Sequence, residues 1–389
     1  MKISIITVVL NGAKTIEQTI RSVIGQSYPE IEYIIIDGGS VDGTADIIRN
    51  YEDHLSYWVS EQDDGIYDAM NKALSHVSGD VVNFLNAGDE YFDRDVIANI
   101  SRHFADEPDT DVLIGRELIE GKACRSYLDG NCRSVYFDTF FPHQATFSKA
   151  ILYKDHGLFD QGYKICADYD WILGVFSKGY KLRWCDEVVA VYDPNGISST
   201  PASIAEQYLI SKKYLEQSDG KGLMDEAKDH YLDMFRRVFF RNLIKNRVSN
   251  DSIKGCLNEL LGNRTVDIWG AGNIGKHING FLAANGVSVR YMLDSDRSKH
   301  GSDSNGTPIR GFDRDDRVYI IISTEDYENE VTDMLDKAGL NAGKDYMTYT
   351  DFSSSVTGYL IGHGYDDGGF ALMTGLRYAR VGRQASGNI

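Results

Sequence analysis

Residues Ile3–Val9 form a continuous, largely apolar and β-branched run, closed by Asn11-Gly12. Such a run predicts a strand buried on both faces, as in a parallel sheet. The same logic repeats downstream. Ile16, Ile20, Val23 and Ile24 recur at helical spacing up to Gln26, and Pro29 closes that connection. Ile31–Ile36 is a second apolar strand, ending on Asp37 and a Gly-Gly-Ser turn. Asp42–Tyr51 reads as a helix, Tyr57–Ser60 as a strand, Gly65–Val77 as a helix and Val81–Leu85 as a fourth strand, which ends on Asn86-Ala-Gly-Asp89. Strands alternating with helices predict an α/β fold with a mostly parallel sheet and helices on both faces.

The chain has 389 residues, too many for one ordinary domain. We expect an α/β domain over 1–205 and a helical connector over 206–262, a stretch rich in helix formers and poor in Gly and Pro. A smaller α/β domain is expected over 263–350. It contains a strand at Thr265–Trp269, the turn Gly270-Ala-Gly-Asn-Ile-Gly275 and a helix to about Asn285. Strands at Ser288–Leu293 and Val318–Ile322 and a helix near Glu328–Ala338 complete it. Residues 351–389 are rich in Gly, Tyr and Ser without a clear period and predict an irregular tail.

Acidic residues number 58 and basic residues 40, a net charge of −18. Such a surface repels a phosphate backbone, which argues against nucleic acid as a partner. No apolar run is long enough to span a membrane as a helix. The opening MKISIITVVLNG imitates a signal peptide but lacks a small-x-small cleavage site, and a buried first strand is the better reading. The five cysteines include no CxxC pair, so neither a disulfide framework nor a zinc site is indicated, and a reducing cytoplasm fits.

In an open parallel sheet, ligands bind beyond the carboxyl ends of the strands. Those ends here carry Asn11, Asp37, Glu61-Gln-Asp-Asp64, Asn86 and Asp89. No Gly-rich phosphate fingerprint follows the first strand. A divalent cation between these carboxylates and a diphosphate would reconcile an acidic pocket with an anionic ligand.

The segment ITVVLNGAKTIEQTIRSVIGQSYPEIEYIIIDGGSVDGT resembles the opening of the family 2 glycosyltransferases. SEQDDGIYDAMNKAL, VVNFLNAGDEYF, PHQATF, ADYDWIL and NGISS resemble its subgroup that builds bacterial surface polysaccharides, of the colanic-acid type. The likeness spans about residues 1–200 in the right order. It implies a GT-A fold, a nucleotide-sugar donor (by family habit a UDP-sugar), Mn²⁺ or Mg²⁺, and inversion at the anomeric carbon. It also implies a polysaccharide or lipid-linked glycan acceptor at the cytoplasmic face of the cell membrane.

Residue by residue, the resemblance puts Thr7 and Asn11 where the chain wraps the base. It makes Asp37 the acceptor of a base N–H and places Asp63 beside the nucleoside. Asn86 opens the metal motif and Asp89 closes it as the metal ligand, with Asn86 and Gly88 standing where the wider family has carboxylates. Asp168 matches the general base, next to Ala167 where the family has Glu. Asp170 would point elsewhere on a helix. His143 would line the acceptor site or touch the donor's diphosphate. Each has a plainer alternative. Asp37 could shape its own turn, Asp89 and Asp168 could cap helices, Asp63 could belong to a solvated turn, and His143 could be structural.

Gly270, Gly272 and Gly275 follow a strand and open a helix, and Asp294 lies 19 residues after Gly275 at the end of the next strand. That is the context of a dinucleotide fingerprint and makes a candidate second nucleotide site for NAD(P). Half a dinucleotide domain serving assembly or regulation, including self-association, is the favoured alternative. His230–Arg247 holds five Lys or Arg against one Asp, with Tyr231, Phe235, Phe239 and Leu243 at helical spacing. It reads either as a helix on an anionic membrane surface or as a helix packed between domains. The leading expectation is an inverting glycosyltransferase. Its rivals are an NAD(P)-dependent oxidoreductase centred on Gly270–Asp294 and a non-catalytic nucleotide-sugar-binding protein.

Overall fold

The computed structural model describes residues 1–119, 136–137, 141–192, 200–217, 222–304, 306–313, 318–324 and 327–363. Two compact units emerge. The first comprises Met1–Ser199 with Glu206–Lys228, the second Thr200–Ala205 with Asp229–Ile389. Residues 206–262, expected as a connector, are thus divided between them. Among the described residues no helix is long and apolar enough to cross a membrane.

In the first unit, β1 (Ile3–Val9), α1 (Ile16–Ile24), β2 (Ile31–Asp37), α2 (Thr44–Arg49), β3 (Tyr57–Ser60), α3 (Ile66–Leu74) and β4 (Val81–Phe84) alternate as expected. β5 (Glu90–Tyr91), α4 (Val96–Asp106), β6 (Val112–Ile119), β7 (Thr146–Lys149), α5 (Ile151–Asp155), α6 (Ala167–Ser177) and β8 (Leu182–Tyr192) follow. The eight strands form one sheet in the order β3-β2-β1-β4-β7-β6-β8-β5. β3, β2, β1 and β4 pair in parallel, as do β6 and β8, while β7 and β5 run against their neighbours. Ile6, Val8, Ile34 and Ile36 enter the core on one face, and Ile5, Val9, Tyr33 and Ile35 the core on the other. Both faces being covered, the strands need no polar alternation. This is the mixed, parallel-dominated α/β architecture of the GT-A fold.

Two helices, α7 (Pro201–Gln217) and α8 (Met224–Lys245), precede α9 (Asp251–Leu261). The second unit then adds β9 (Val266–Trp269), α10 (Asn273–Ala284), β10 (Val289–Leu293), β11 (Asp303–Ser304), β12 (Thr307–Arg310), β13 (Tyr319–Ile322), α11 (Glu328–Lys337), β14 (Tyr346–Met347) and α12 (Tyr349–Gly362). Its sheet order is β11-β12-β10-β9-β13-β14, parallel except for β11.

One expectation is corrected here and one open alternative is decided. Helix α12 occupies the first part of the stretch read as an irregular tail. Phe352, Val356 and Leu360 recur at helical spacing and are fully buried, and Thr348 caps the helix by accepting from the Asp351 N–H at 3.0 Å. Those residues outweigh the Gly- and Ser-rich composition; residues 364–389 lie outside the described residues. The apolar stripe of 230–247, open to a membrane or a packed-helix reading, is covered by protein. Tyr231, Phe235, Phe239 and Leu243 are all buried. On the same helix, Phe240 packs edge-on against Phe281, Tyr349 and Phe352 of the second unit. An apolar stripe already covered by protein is not available to a bilayer.

Candidate active site

The carboxyl ends of β1 and β2 carry two loops stitched to each other. Asn11 sits in the left-handed region (φ +52°), which Asn tolerates. Its N–H donates to Ser40 Oγ at 2.6 Å, and its Oδ1 accepts from the Val41 N–H at 3.0 Å. Asp37 is fully buried. It accepts from the Ser40 N–H at 3.1 Å and from the hydroxyls of Ser40 and Ser60. The turn-forming role weighed for Asp37 is thus present, and a base N–H would have to share an already bonded carboxylate. Asp63 is the more open acid. Its Oδ1 accepts from the Gly65 N–H at 3.0 Å, and its Oδ2 lies so close to Gly38 that a Cβ there would come within 2.4 Å. Glycine at 38 is what lets Asp63 fold over the end of β2.

Thr7 departs from expectation. It is fully buried in β1, donating to the Leu85 carbonyl at 2.7 Å and sharing a hydrogen bond with Tyr33 Oη at 3.0 Å. It braces the sheet, with no surface left for a ligand.

Beyond β4, the turn Asn86–Asp89 is held from α1. Thr19 donates to the Asp89 carbonyl at 2.8 Å and accepts from the Gly88 N–H at 3.0 Å. Opposite stands His143, in the short 3₁₀ turn His143–Ala145 before β7. Asn83 positions that turn, donating to the carbonyls of Gln144 at 3.1 Å and Thr146 at 2.8 Å. His143 Nε2 then lies 3.1 Å from Asn86 Nδ2 and 3.8 Å from Asp89 Oδ2. Asn86 Oδ1 is buried, with no hydrogen-bond partner among the described residues. Among the described residues no three His, Cys, Asp or Glu side chains converge on a cation site. The Asp89 carboxylate and the orphaned Asn86 oxygen are nonetheless hard oxygen donors of the type Mg²⁺ and Mn²⁺ take, with coordination left for a ligand's own oxygens.

His143 also lines a small cavity, about 30 Å³, with Asp168, Phe141, Tyr153 and Trp171. Asp168 stands in the first turn of α6, whose N-cap is Cys166, so it is not the capping residue. Its Oδ1 accepts from Tyr67 Oη at 2.9 Å and from the Tyr169 N–H at 3.0 Å, while no hydrogen bond reaches Oδ2 among the described residues. Burial first, then the negative charge of Asp168, hold the Tyr67 hydroxyl well above its ordinary pKa, so it remains a donor. Asp170 points away, accepting from Lys213 Nζ at 2.6 Å. Asn86, Asp89, His143 and Asp168 are therefore one cluster, with Asn11, Asp37 and Asp63 on the neighbouring loops of the same strand ends. Asn83 and Tyr67 were missed by sequence reasoning. The NGISS segment lies outside the described residues.

In the second unit, Gly270, Gly272, Gly275, Asp294, Lys299 and Ser323 line a cavity of about 720 Å³. At Gly275 a Cβ would fall 1.9 Å from the Gly270 carbonyl, so glycine is what lets α10 close on the loop. Asp294 does not stand free for a ribose. Its Oδ2 accepts from the Ala271 N–H at 3.0 Å and Lys299 Nζ at 2.9 Å, and its Oδ1 from the Asp296 N–H at 2.9 Å. Burial alone would raise its pKa, but these donors outweigh it and the net shift is downward.

The sequence from residue 4 to 153 matches the family model "Glycosyl transferase family 2". An uncharacterized glycosyltransferase of Mycobacterium tuberculosis is 33% identical over 183 residues, 44% of this chain and 67% of that protein. The PGL/p-HBAD biosynthesis glycosyltransferase of Mycobacterium bovis is 26% identical over 219 residues, 55% of this chain and 82% of that protein. Among solved structures, S. aureus TarS 1–349 matches with a TM-score of 0.50 at 18% identity, covering 67% of this chain and 80% of that one, a likeness of fold. With residues 4–153 matched by the family model and a 33% identical relative covered over two thirds of its length, the chain belongs to the family 2 glycosyltransferases.

Proposed function

We propose that the first unit transfers a sugar from a nucleotide-diphosphate donor, a UDP-sugar, to a hydroxyl of a polysaccharide or lipid-linked glycan, with inversion. The observation that carries this reading is the meeting of Asn86, Asp89, His143 and Asp168 beyond the parallel strand ends, with Asp168 Oδ2 unengaged among the described residues. In a single displacement the acceptor oxygen bonds to the anomeric carbon as the bond to the diphosphate oxygen breaks. The leaving diphosphate keeps that electron pair, and Asp168 Oδ2 takes the acceptor proton. Asp89, with the Asn86 amide oxygen, would hold a divalent metal whose charge neutralises the diphosphate. His143, lying between the diphosphate end and the Asp168 cavity, would orient the departing group. Asn11 and Asp63 would flank the nucleoside, with Asp37 holding their two loops through Ser40 and Ser60.

We also infer that the second unit is Rossmann-like. Counting β9, β10, β12, β13 and β14 as strands one to five gives the order 3-2-1-4-5. The hydrogen bonds already held by Asp294 favour an assembly or regulatory role over NAD(P) chemistry. A thermal-shift panel of UDP, GDP, TDP, CMP, their sugar conjugates and NAD(H), with and without Mn²⁺, tests both readings, because a ligand of the folded state raises the melting temperature. The expected result is a metal-dependent shift with a uridine nucleotide. A shift with NAD(H) alone would transfer the function to the second unit.

A further inference from the structure

The chain leading to Asp168 is gripped from two sides by residues distant in sequence. Glu206, on α7 and within the first unit, accepts three successive backbone N–H groups. Lys164 donates to its Oε1 at 2.9 Å, and Ile165 and Cys166 donate to its Oε2 at 2.9 and 3.0 Å. Tyr67, on α3, points its hydroxyl at the Ile165 carbonyl at 2.6 Å and at Asp168 Oδ1 at 2.9 Å. Ile165 is therefore held by its N–H and by its carbonyl, two residues before the first turn of α6 that carries Asp168.

We propose that Glu206 and Tyr67 are positioning residues for Asp168: Glu206 fixes the backbone from which the carboxylate projects, and Tyr67 fixes Oδ1, so that Oδ2 faces the acceptor hydroxyl. The proposal rests on the reading of Asp168 as the general base. The physical argument is independent of the family. Backbone N–H groups bonding an ionised carboxylate are among the stronger protein hydrogen bonds. Three of them on one side chain set the path of the chain into α6. A base acts only within hydrogen-bond reach of its proton, so a loose approach to α6 would cost turnover without touching the donor. The titratable groups facing Asp168 are Tyr67, Cys166 and Tyr153, with His143 across the shared cavity.

The test is the carbon-13 NMR resonance of the Asp168 carboxyl in the ligand-free full chain at pH 7, identified by its loss in Asp168→Asn. Tyr67→Phe keeps the ring packed on Phe159 and removes only the hydroxyl. It should move the carboxyl resonance, because the hydrogen bond to Oδ1 is lost. Glu206→Gln should move it in the same direction as the Tyr67 contact loosens. A purely structural role would lower the melting temperature and leave the resonance where it was; a resonance at the native position in both variants overturns the proposal. In parallel, UDP release from UDP-glucose, UDP-galactose and UDP-N-acetylglucosamine, with water as acceptor, separates this from the base assignment. Both variants should lose on the order of tenfold in kcat with donor affinity unchanged. An Asp168→Asn chain that still releases UDP at the native rate removes the base reading itself, and the catalytic meaning of the clamp with it.

Discussion

Glu32 stands at the opposite end of the sheet from the candidate site and ties its first two strands together. Only 4% exposed, it accepts from Lys2 Nζ at 2.7 Å, Ser4 Oγ at 2.6 Å, the Ser78 N–H at 2.8 Å and the Ser78 hydroxyl. Burial pushes its pKa up, but the Lys2, Ser4 and Ser78 donors outweigh burial and bring it from 4.5 down to about 2. A folded-state pKa below the unfolded one means stability that is present above pH 4.5 and lost as pH falls through the folded value. A drop of about 2.5 units at about 1.4 kcal/mol per unit gives roughly 3–4 kcal/mol. Glu32→Gln, the neutral isostere of the protonated acid, should therefore cost the first unit about 3–4 kcal/mol at pH 7. The gap should narrow between pH 4.5 and 2 as the native chain protonates. The assay is urea unfolding followed by fluorescence of Trp58, Trp171 and Trp184, in a Trp269→Phe background that silences the second unit. A loss below about 1 kcal/mol at pH 7, or parallel pH profiles for the two chains, would refute the reasoning, since it would mean the network holds the charge no better than water does.

Other outcomes are expected from the same geometry. Asp89→Ala should weaken uridine-nucleotide binding most at low Mn²⁺, read by calorimetry; an unchanged metal dependence would remove Asp89 from the metal site. Gly275→Ala would place a Cβ 1.9 Å from the Gly270 carbonyl and should lower the unfolding temperature of the second unit while leaving nucleotide binding by the first unit intact. Phe235→Ala should destabilise the second unit by about 3–5 kcal/mol, as for other buried aromatic truncations. The same variant should not alter sedimentation with anionic vesicles, and a specific loss of vesicle binding would restore the membrane reading of α8.

The sequence by itself determined the elements and the chemistry at their ends. Continuous apolar runs broken by Asn11-Gly12, by Asp37-Gly-Gly and by the Asn86–Asp89 turn placed four parallel strands, because a strand covered on both faces needs no alternation. Their order in the sheet, β3-β2-β1-β4, came from the structure alone. The residues at the strands' carboxyl ends were candidates because ligands bind there in an open parallel sheet. Only the tertiary structure decided which of them are free to act. Thr7 and Asp294 are engaged by protein partners, which no local pattern records. His143 meets Asn86 across 57 residues of chain, and Asp168 meets Tyr67 across 101. Neither pairing could be read from spacing, because it depends on where β7 and α6 return to the sheet. The apolar stripe of α8 reads identically whether a bilayer or a protein core covers it. The hydrophobic effect is non-directional, so periodicity shows that a face must be buried, and only the folded chain shows against what.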